Sequence, residues 1–152
     1  MIIRTAVVED VTNIVRLLAN DKLGMQREDF QEPIPTKYID AFNKIDTDPN
    51  QELIVAESSD LGEVIGTLQL TFIPYLTYQG GVRAQIEAVR IREDQRGKGI
   101  GEQLFLWAIN RAKERGAHLL QLTTDKKRPD ALRFYEKLGF VASHEGMKIH
   151  FK

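Results

Sequence analysis

Between Val82 and Arg115 the chain runs from a long strand pattern through a glycine-rich loop into a mostly apolar helix, and the strand changes phase on the way. Apolar residues stand at 82, 84, 86 and 88 with Gln85 and Glu87 between them; from Val89 the apolar positions are 89 and 91, alternating with Arg90 and Arg92. Strand side chains alternate with period two. A flip without a turn therefore means a face swap, a strand buried on both faces, or one extra residue, a β-bulge at Ala88-Val89. A bulge leaves backbone amides outside the ladder, and a free N–H beside Glu87 would set an oxyanion donor next to a general base.

The loop that follows, Gln95-Arg96-Gly97-Lys98-Gly99-Ile100-Gly101, carries glycine at alternate positions. A backbone without Cβ atoms admits a ligand closely, and amides at a helix start, with the helix dipole behind them, favour phosphate. The spacing predicts a pyrophosphate cradle. It is not a Walker loop, because Lys98 is followed by Gly99 rather than Ser or Thr, and it misses the Rossmann fingerprint because the third glycine comes one residue early. A plain strand-to-helix turn would also use glycines; the interleaved Arg96 and Lys98 favour the cradle.

The remaining periodicities frame this unit. Ile2 to Ala6 reads as a strand, and Asp10 can cap a helix with Val11, Ile14, Val15 and Leu18 on one face. Residues 21–35 read as an irregular connection, Thr36 to Ile45 as a second helix, and Leu53 to Glu57 with Glu63 to Ile73 as an antiparallel hairpin. Pro74 to Gly81 is a loop bearing Tyr75 and Tyr78. Ile100 to Arg115 is helical and stopped by Gly116; His118 to Thr123 is a strand; Asp130 opens a helix with Ala131, Phe134, Tyr135 and Leu138 aligned and Gly139 at its end. Phe140 to Ser143 and Met147 to Phe151 suit a closing hairpin.

The 152 residues fit one domain, 1–152, with enough apolar residues for a single core. Lys plus Arg number 21 against 22 Asp plus Glu, so no global field draws the chain to nucleic acid or to an anionic membrane. Basic character is local: Arg90, Arg92, Arg96 and Lys98 fall together around the proposed cradle. The sequence has no Cys, which excludes disulfides, thiolate metal sites and a covalent cysteine intermediate. His118, His144 and His150 lack metal-ligand spacing, and no metal is expected. Without a run of apolar residues long enough to span a bilayer, the expectation is a soluble, cytoplasmic protein.

Arg96-Gly97-Lys98-Gly99-Ile100-Gly101 resembles the Arg/Gln-x-x-Gly-x-Gly/Ala signature of the GCN5-related N-acetyltransferases (GNAT), and Asp130-Ala131-Leu132-Arg133-Phe134-Tyr135-Glu136-Lys137-Leu138-Gly139-Phe140 resembles their C-terminal helix motif. The resemblance implies an α/β (α+β) fold with a mixed, mostly antiparallel sheet of six to seven strands, helices on both faces and a bulged fourth strand. It implies acetyl-CoA as cosubstrate and direct acetyl transfer to a primary amine, with a small molecule as the leading acceptor. A protein or peptide amine, or a non-catalytic acyl-CoA-binding regulatory module, is the alternative.

By the same resemblance, the backbone of Val89 and Ile91 would hold the pantetheine arm, and amides of Arg96, Gly97, Lys98, Gly99, Ile100 and Gly101 the pyrophosphate. The Val89 amide would polarise the acetyl carbonyl, Glu87 would act as base and Tyr135 would protonate the leaving thiolate. Many relatives have Asn where this chain has Asp130, so Asp130 is a cofactor contact or only a helix cap. Lys126, Lys127 and Arg128 either reach the 3′-phosphate or form a solvated basic turn. The acceptor cleft would lie between residues 23–35 and 74–81, with Tyr75 and Tyr78 bounding an amine or packing in a homodimer.

Overall fold

The protein is described here by a computed structural model covering residues 1–151. Five strands, β1 (Ile2–Thr5), β2 (Gln51–Glu57), β3 (Val64–Pro74), β4 (Val82–Ile91) and β5 (Leu119–Gln121), form one sheet in chain order. The first four pair antiparallel, β2 to β3 and β3 to β4 through short connections and β1 to β2 through the helical residues 6–50, whereas β5 joins β4 in parallel. A parallel neighbour needs a crossover, and the helix Ile100–Glu114 supplies it.

Alternation along the strands sorts two cores. Ile54, Leu68, Leu70, Phe72, Ala84 and Ile86 face the crossover helix and its residues Leu104, Phe105 and Ala108. Val55 and Val64 face the other way, onto α1 (Val11–Ala19) and α3 (Thr36–Asp46), where Ile14, Val15 and Phe42 are buried. Short turns α2 (Gly24–Arg27) and α4 (Thr77–Gly80) occupy the two connections read as irregular. The crossover helix is α5, and α6 spans Pro129–Lys137.

The C-terminal end of α5 is pinned to β2. Arg111 Nε donates to both oxygens of Glu52 at 2.9 and 3.1 Å, Arg115 NH1 donates to the same carboxylate at 2.8 Å, and the Arg115 guanidinium lies 3.9 Å above the Phe72 ring. With Phe105 almost fully buried beneath it, the helix has little freedom to rotate, which fixes the direction of its N-terminal end.

Three expectations are corrected. The sheet has five strands rather than six to seven: Phe140–Ser143 and Met147–Phe151 form no ladder, and Val141, Met147, Ile149 and Phe151 stay exposed. β5 is only three residues long and offers little edge to extend, and Ser143 N donates to Val141 O in a tight turn that takes the chain out of extension. Asp10 does not cap α1 with its side chain; its buried carboxylate accepts from Val7 N at 2.8 Å and from both terminal nitrogens of Arg4. α6 opens at Pro129, with Pro where a missing N–H costs nothing, and Asp130 lies exposed in the first turn.

Candidate active site

The phase flip in β4 is an extra residue. Gln69 pairs with Glu87 and Thr67 with Arg90, so Ala88 and Val89 together oppose Leu68. Ala88 takes φ +55°, a left-handed conformation that a non-glycine residue adopts at a cost of about 1–2 kcal/mol. The consequence is a change of side. Residues 87 and 90 would point to opposite faces of a regular strand; the added residue puts Glu87 and Arg90 on one face, in register with Gln69 and Thr67.

Beyond the bulge the edge of β4 is free of β5. The parallel pairing covers only Arg83 to Gln85, opposite Leu119 to Gln121, and the two strands part below it. Arg92 N donates to Ile65 O across the β3 side. By alternation Arg90 also turns its backbone to β3, and Val89 and Ile91 present theirs to the open side. These are the two residues expected to hold an extended ligand arm. The Val89 carbonyl accepts from Arg90 NH1 at 2.7 Å.

At the foot of this split lies the N-terminal end of α5. Gly99 is its N-cap residue at φ 79°, no side chain caps it, and Gly97 also has positive φ (78°). A Cβ built on either glycine meets nothing within 4 Å. The loop is therefore open in front and requires glycine for its backbone conformation. Ile100, Gly101 and Glu102 carry amides that the helix cannot pair, at the positive end of its dipole. The residues present fit a pyrophosphate group.

The expected basic cluster around the cradle is only partly there. Arg92 is engaged by Asp94, through Nε at 2.7 Å and NH2 at 3.0 Å, and by Glu63 at 2.7 Å. Arg90 turns to the far side of the sheet. Arg96 and Lys98 remain at the loop, with Arg96 Nε donating to Ile91 O at 3.3 Å and Lys98 Nζ to Gln95 Oε1 at 3.3 Å.

Glu87 is exposed, and its Oε1 accepts from Gln85 Nε2 at 2.6 Å while Gln85 Oε1 accepts from Gln121 Nε2 at 2.8 Å. This two-amide relay across the β4 to β5 junction fixes the carboxylate. On the other side, Tyr135 of α6 packs its ring on Phe105, Phe134 and Phe140 at centroid distances of 5.4, 5.7 and 6.2 Å. Burial pushes its hydroxyl above the ordinary tyrosine range, against the pull of Arg128 and Arg90, so it is a proton donor at neutral pH.

Sequence reasoning missed one cluster. Asp21, just after α1, accepts from Arg128 NH1 and NH2 at 2.9 and 2.6 Å and from Gly24 N at 3.1 Å, with Arg90 NH2 at 3.5 Å. The Arg128 hydrogen bonds hold its carboxyl far below the usual range. Arg128 thus faces the α1 to α3 connection, while Lys126 is almost fully exposed near Glu145. His118, Tyr75 and Tyr78 form a three-ring cluster with centroids 4.6 to 6.0 Å apart, and His118 shares a hydrogen bond with the Tyr75 hydroxyl.

A cavity of about 350 Å³ lined by Glu136, Gly139, Phe140, Val141 and Ala142 lies past the end of α6 and contains none of the expected site residues.

The chain is 32% identical over 142 residues to an aminoalkylphosphonate N-acetyltransferase of Salmonella typhimurium, covering 93% of this chain and 86% of the relative. It is 30% identical over 143 residues to an L-methionine sulfoximine/L-methionine sulfone acetyltransferase of Pseudomonas aeruginosa, covering 93% and 80%. A solved structure described as a transcriptional regulator from Bacillus halodurans C-125 superimposes with TM-score 0.95 at 59% identity over 99% of both chains. Residues 21–140, which hold the bulge, the cradle and Tyr135, match the model of one family, and the chain belongs to it: the acetyltransferase (GNAT) family.

Proposed function

We propose that this chain transfers the acetyl group of acetyl-CoA directly to a primary amine of a small molecule. The observation that carries the reading is the bulge at Ala88 and Val89. It opens the edge of β4 above the α5 cradle and sets Glu87 beside it, with Tyr135 across the split. Relatives named for aminoalkylphosphonate and for methionine sulfoximine or sulfone support a small acceptor.

Amides of Arg96 to Gly101 would hold the pyrophosphate and the backbone of Val89 and Ile91 the pantetheine. When bound, acetyl-CoA supplies an acyl carbon activated as a thioester. Glu87 accepts a proton from the ammonium, directly or through water, because the nitrogen has no lone pair for attack until it is deprotonated. The nitrogen then forms the new C–N bond as the C–S bond breaks. The Val89 N–H donates to the oxygen that gains charge, a contact worth about 2.7–4 kcal/mol when well placed. Tyr135 O–H gives its proton to the departing sulfur, and the nitrogen's second proton leaves to solvent. With no cysteine in the sequence to carry the acyl group, direct transfer in one ternary complex is the simpler course.

We further read residues 1–152 as one domain. The described helices include none long and apolar enough to cross a membrane. A second copy of the chain is the proposed partner for the exposed Val141, Met147, Ile149 and Phe151. Light scattering is expected to show a dimer that Ile149→Lys disrupts; a monomer at every concentration removes this assignment.

The name carried by the Bacillus halodurans neighbour favours a second reading, a regulatory module that binds acyl-CoA without chemistry. An amine-library screen with detection of the free thiol separates the two. Thiol release that depends on an amine is the expected result; acetyl-CoA binding without release from any amine favours the regulator.

A further inference from the structure

Three guanidinium groups gather on the Glu87 face of the sheet. Arg90 and Arg128 converge on Asp21, and Arg27 of α2 lies near enough to Arg90 to disfavour its charge. Asp21 is largely spent: both terminal nitrogens of Arg128 and the Gly24 amide already use its oxygens. Asp125 acts on Arg128 at longer range and is itself hydrogen-bonded by the Lys127 amide at 2.8 Å. Arg27 makes no ion pair among the described residues. The three guanidinium groups thus have between them Asp21 at close range and Asp125 at longer range, with Glu87 further along the same face.

Of the two guanidinium groups at Asp21, Arg90 is the less satisfied: its one good hydrogen bond runs from NH1 to the Val89 carbonyl at 2.7 Å. Its side chain is only 16% exposed, its Nε is buried without a hydrogen-bond partner, and Asp21 stands 3.5 Å from NH2, beyond good hydrogen-bond distance. A buried donor left unpaired is costly, and a guanidinium presents paired donors that match a carboxylate or phosphonate. The site is also rigid. A Cβ on Gly24 would stand 1.9 Å from Leu18 O, so only glycine lets α2 fold back on α1 and carry Arg27 to this place.

We infer that the acceptor amine carries an anionic group, carboxylate or phosphonate, which Arg90, Arg128 and Arg27 bind while Glu87 faces the amine. The bulge supplies the alignment. Glu87 and Arg90 stand on one face opposite Gln69 and Thr67, two residues apart on β3, or about 7 Å. That span suits a small amine whose nitrogen and anion are a few bonds apart. The inference rests on the amine-acetylation reading above and narrows its substrate class.

The test uses three amines of similar length: aminoethylphosphonate, β-alanine and propylamine. Turnover is followed by thiol release, and binding by calorimetry in the presence of CoA. One or both anionic amines are expected to exceed propylamine in kcat/KM by at least about 100-fold, and the better arm identifies the anion. Arg90→Gln is expected to shrink that preference by about tenfold or more through KM. Arg27→Gln, at an exposed position, is expected to shrink it too, and it serves where the Arg90 variant does not fold. Propylamine binding and reacting as well as both anionic amines overturns the inference, as does failure of all three to bind. Anionic amines that bind in an Arg27-dependent way with no turnover would leave the inference standing and sink the catalytic reading.

Discussion

Replacing Tyr135 by Phe removes one hydroxyl and little else. The contacts that hold the residue are contacts of its ring, with Phe105 at 5.4 Å, Phe134 at 5.7 Å and Phe140 at 6.2 Å, and phenylalanine keeps all of them. Thermal stability should therefore change by no more than about 1 kcal/mol. The chemical step should suffer more. A positioned general acid contributes about 10²–10⁴-fold, or about 2.7–5.4 kcal/mol, so kcat should fall by that factor with the KM for acetyl-CoA little changed. Burial holds the hydroxyl above the ordinary tyrosine range, so wild-type turnover should not lose this acid before pH rises past about 10. Single-turnover thiol release is the assay of choice, because slow product release could hide a loss in the chemical step. A single-turnover rate within about twofold of wild type would take Tyr135 out of the mechanism. A fall in rate matched by a large drop in melting temperature would return it to packing.

The other expectations are briefer. Glu87→Gln should depress kcat/KM most at low pH, where the amine is protonated and most needs a base; a pH–rate profile parallel to wild type would make Glu87 structural. Gly99→Val should fold, since a Cβ there meets no protein atom, but it puts a β-branched residue at φ 79° and fills the cradle, so calorimetry should show acetyl-CoA affinity falling at least about tenfold. Undiminished affinity would move the pyrophosphate elsewhere. Asp21, Asp10 and Glu52 are all held below their usual pKa: Asp21 chiefly by Arg128, the other two because their arginine partners outweigh burial. A depressed folded-state pKa adds stability above the unfolded value and loses it as pH falls through the folded one. Urea midpoints should thus fall from about pH 4 downward, and Arg128→Gln should shift that loss to higher pH. Midpoints flat down to pH 2.5 or so would contradict these pairings.

Much of this was written locally in the chain. A phase flip needs only eleven consecutive residues to be seen, and strand geometry leaves few ways to realise it. The glycine loop was equally legible, because alternate glycines before an apolar helix state a backbone requirement. The closing hairpin does not form, for a related reason. Residues 140–151 alternate well enough for strands, but a strand exists only where an edge accepts it, and the three residues of β5 are a tertiary fact. The pairing of Asp21 with Arg128 crosses 107 positions and leaves no periodic trace.

The sequence by itself determined the order of elements through α6 and the glycine loop before α5, and it narrowed the phase flip to a few alternatives of which a bulge is one, since each follows from side-chain period or from backbone that glycine permits. Only the tertiary structure decided which charges stand together. Of four basic residues near the cradle in sequence, Arg92 is neutralised by Glu63 and Asp94, and Arg90 is carried by the bulge to the opposite side, beside Asp21 and Arg128. The physical reason is range: backbone preferences act within a few residues, whereas a charge answers to whatever the fold brings within a few ångströms of it.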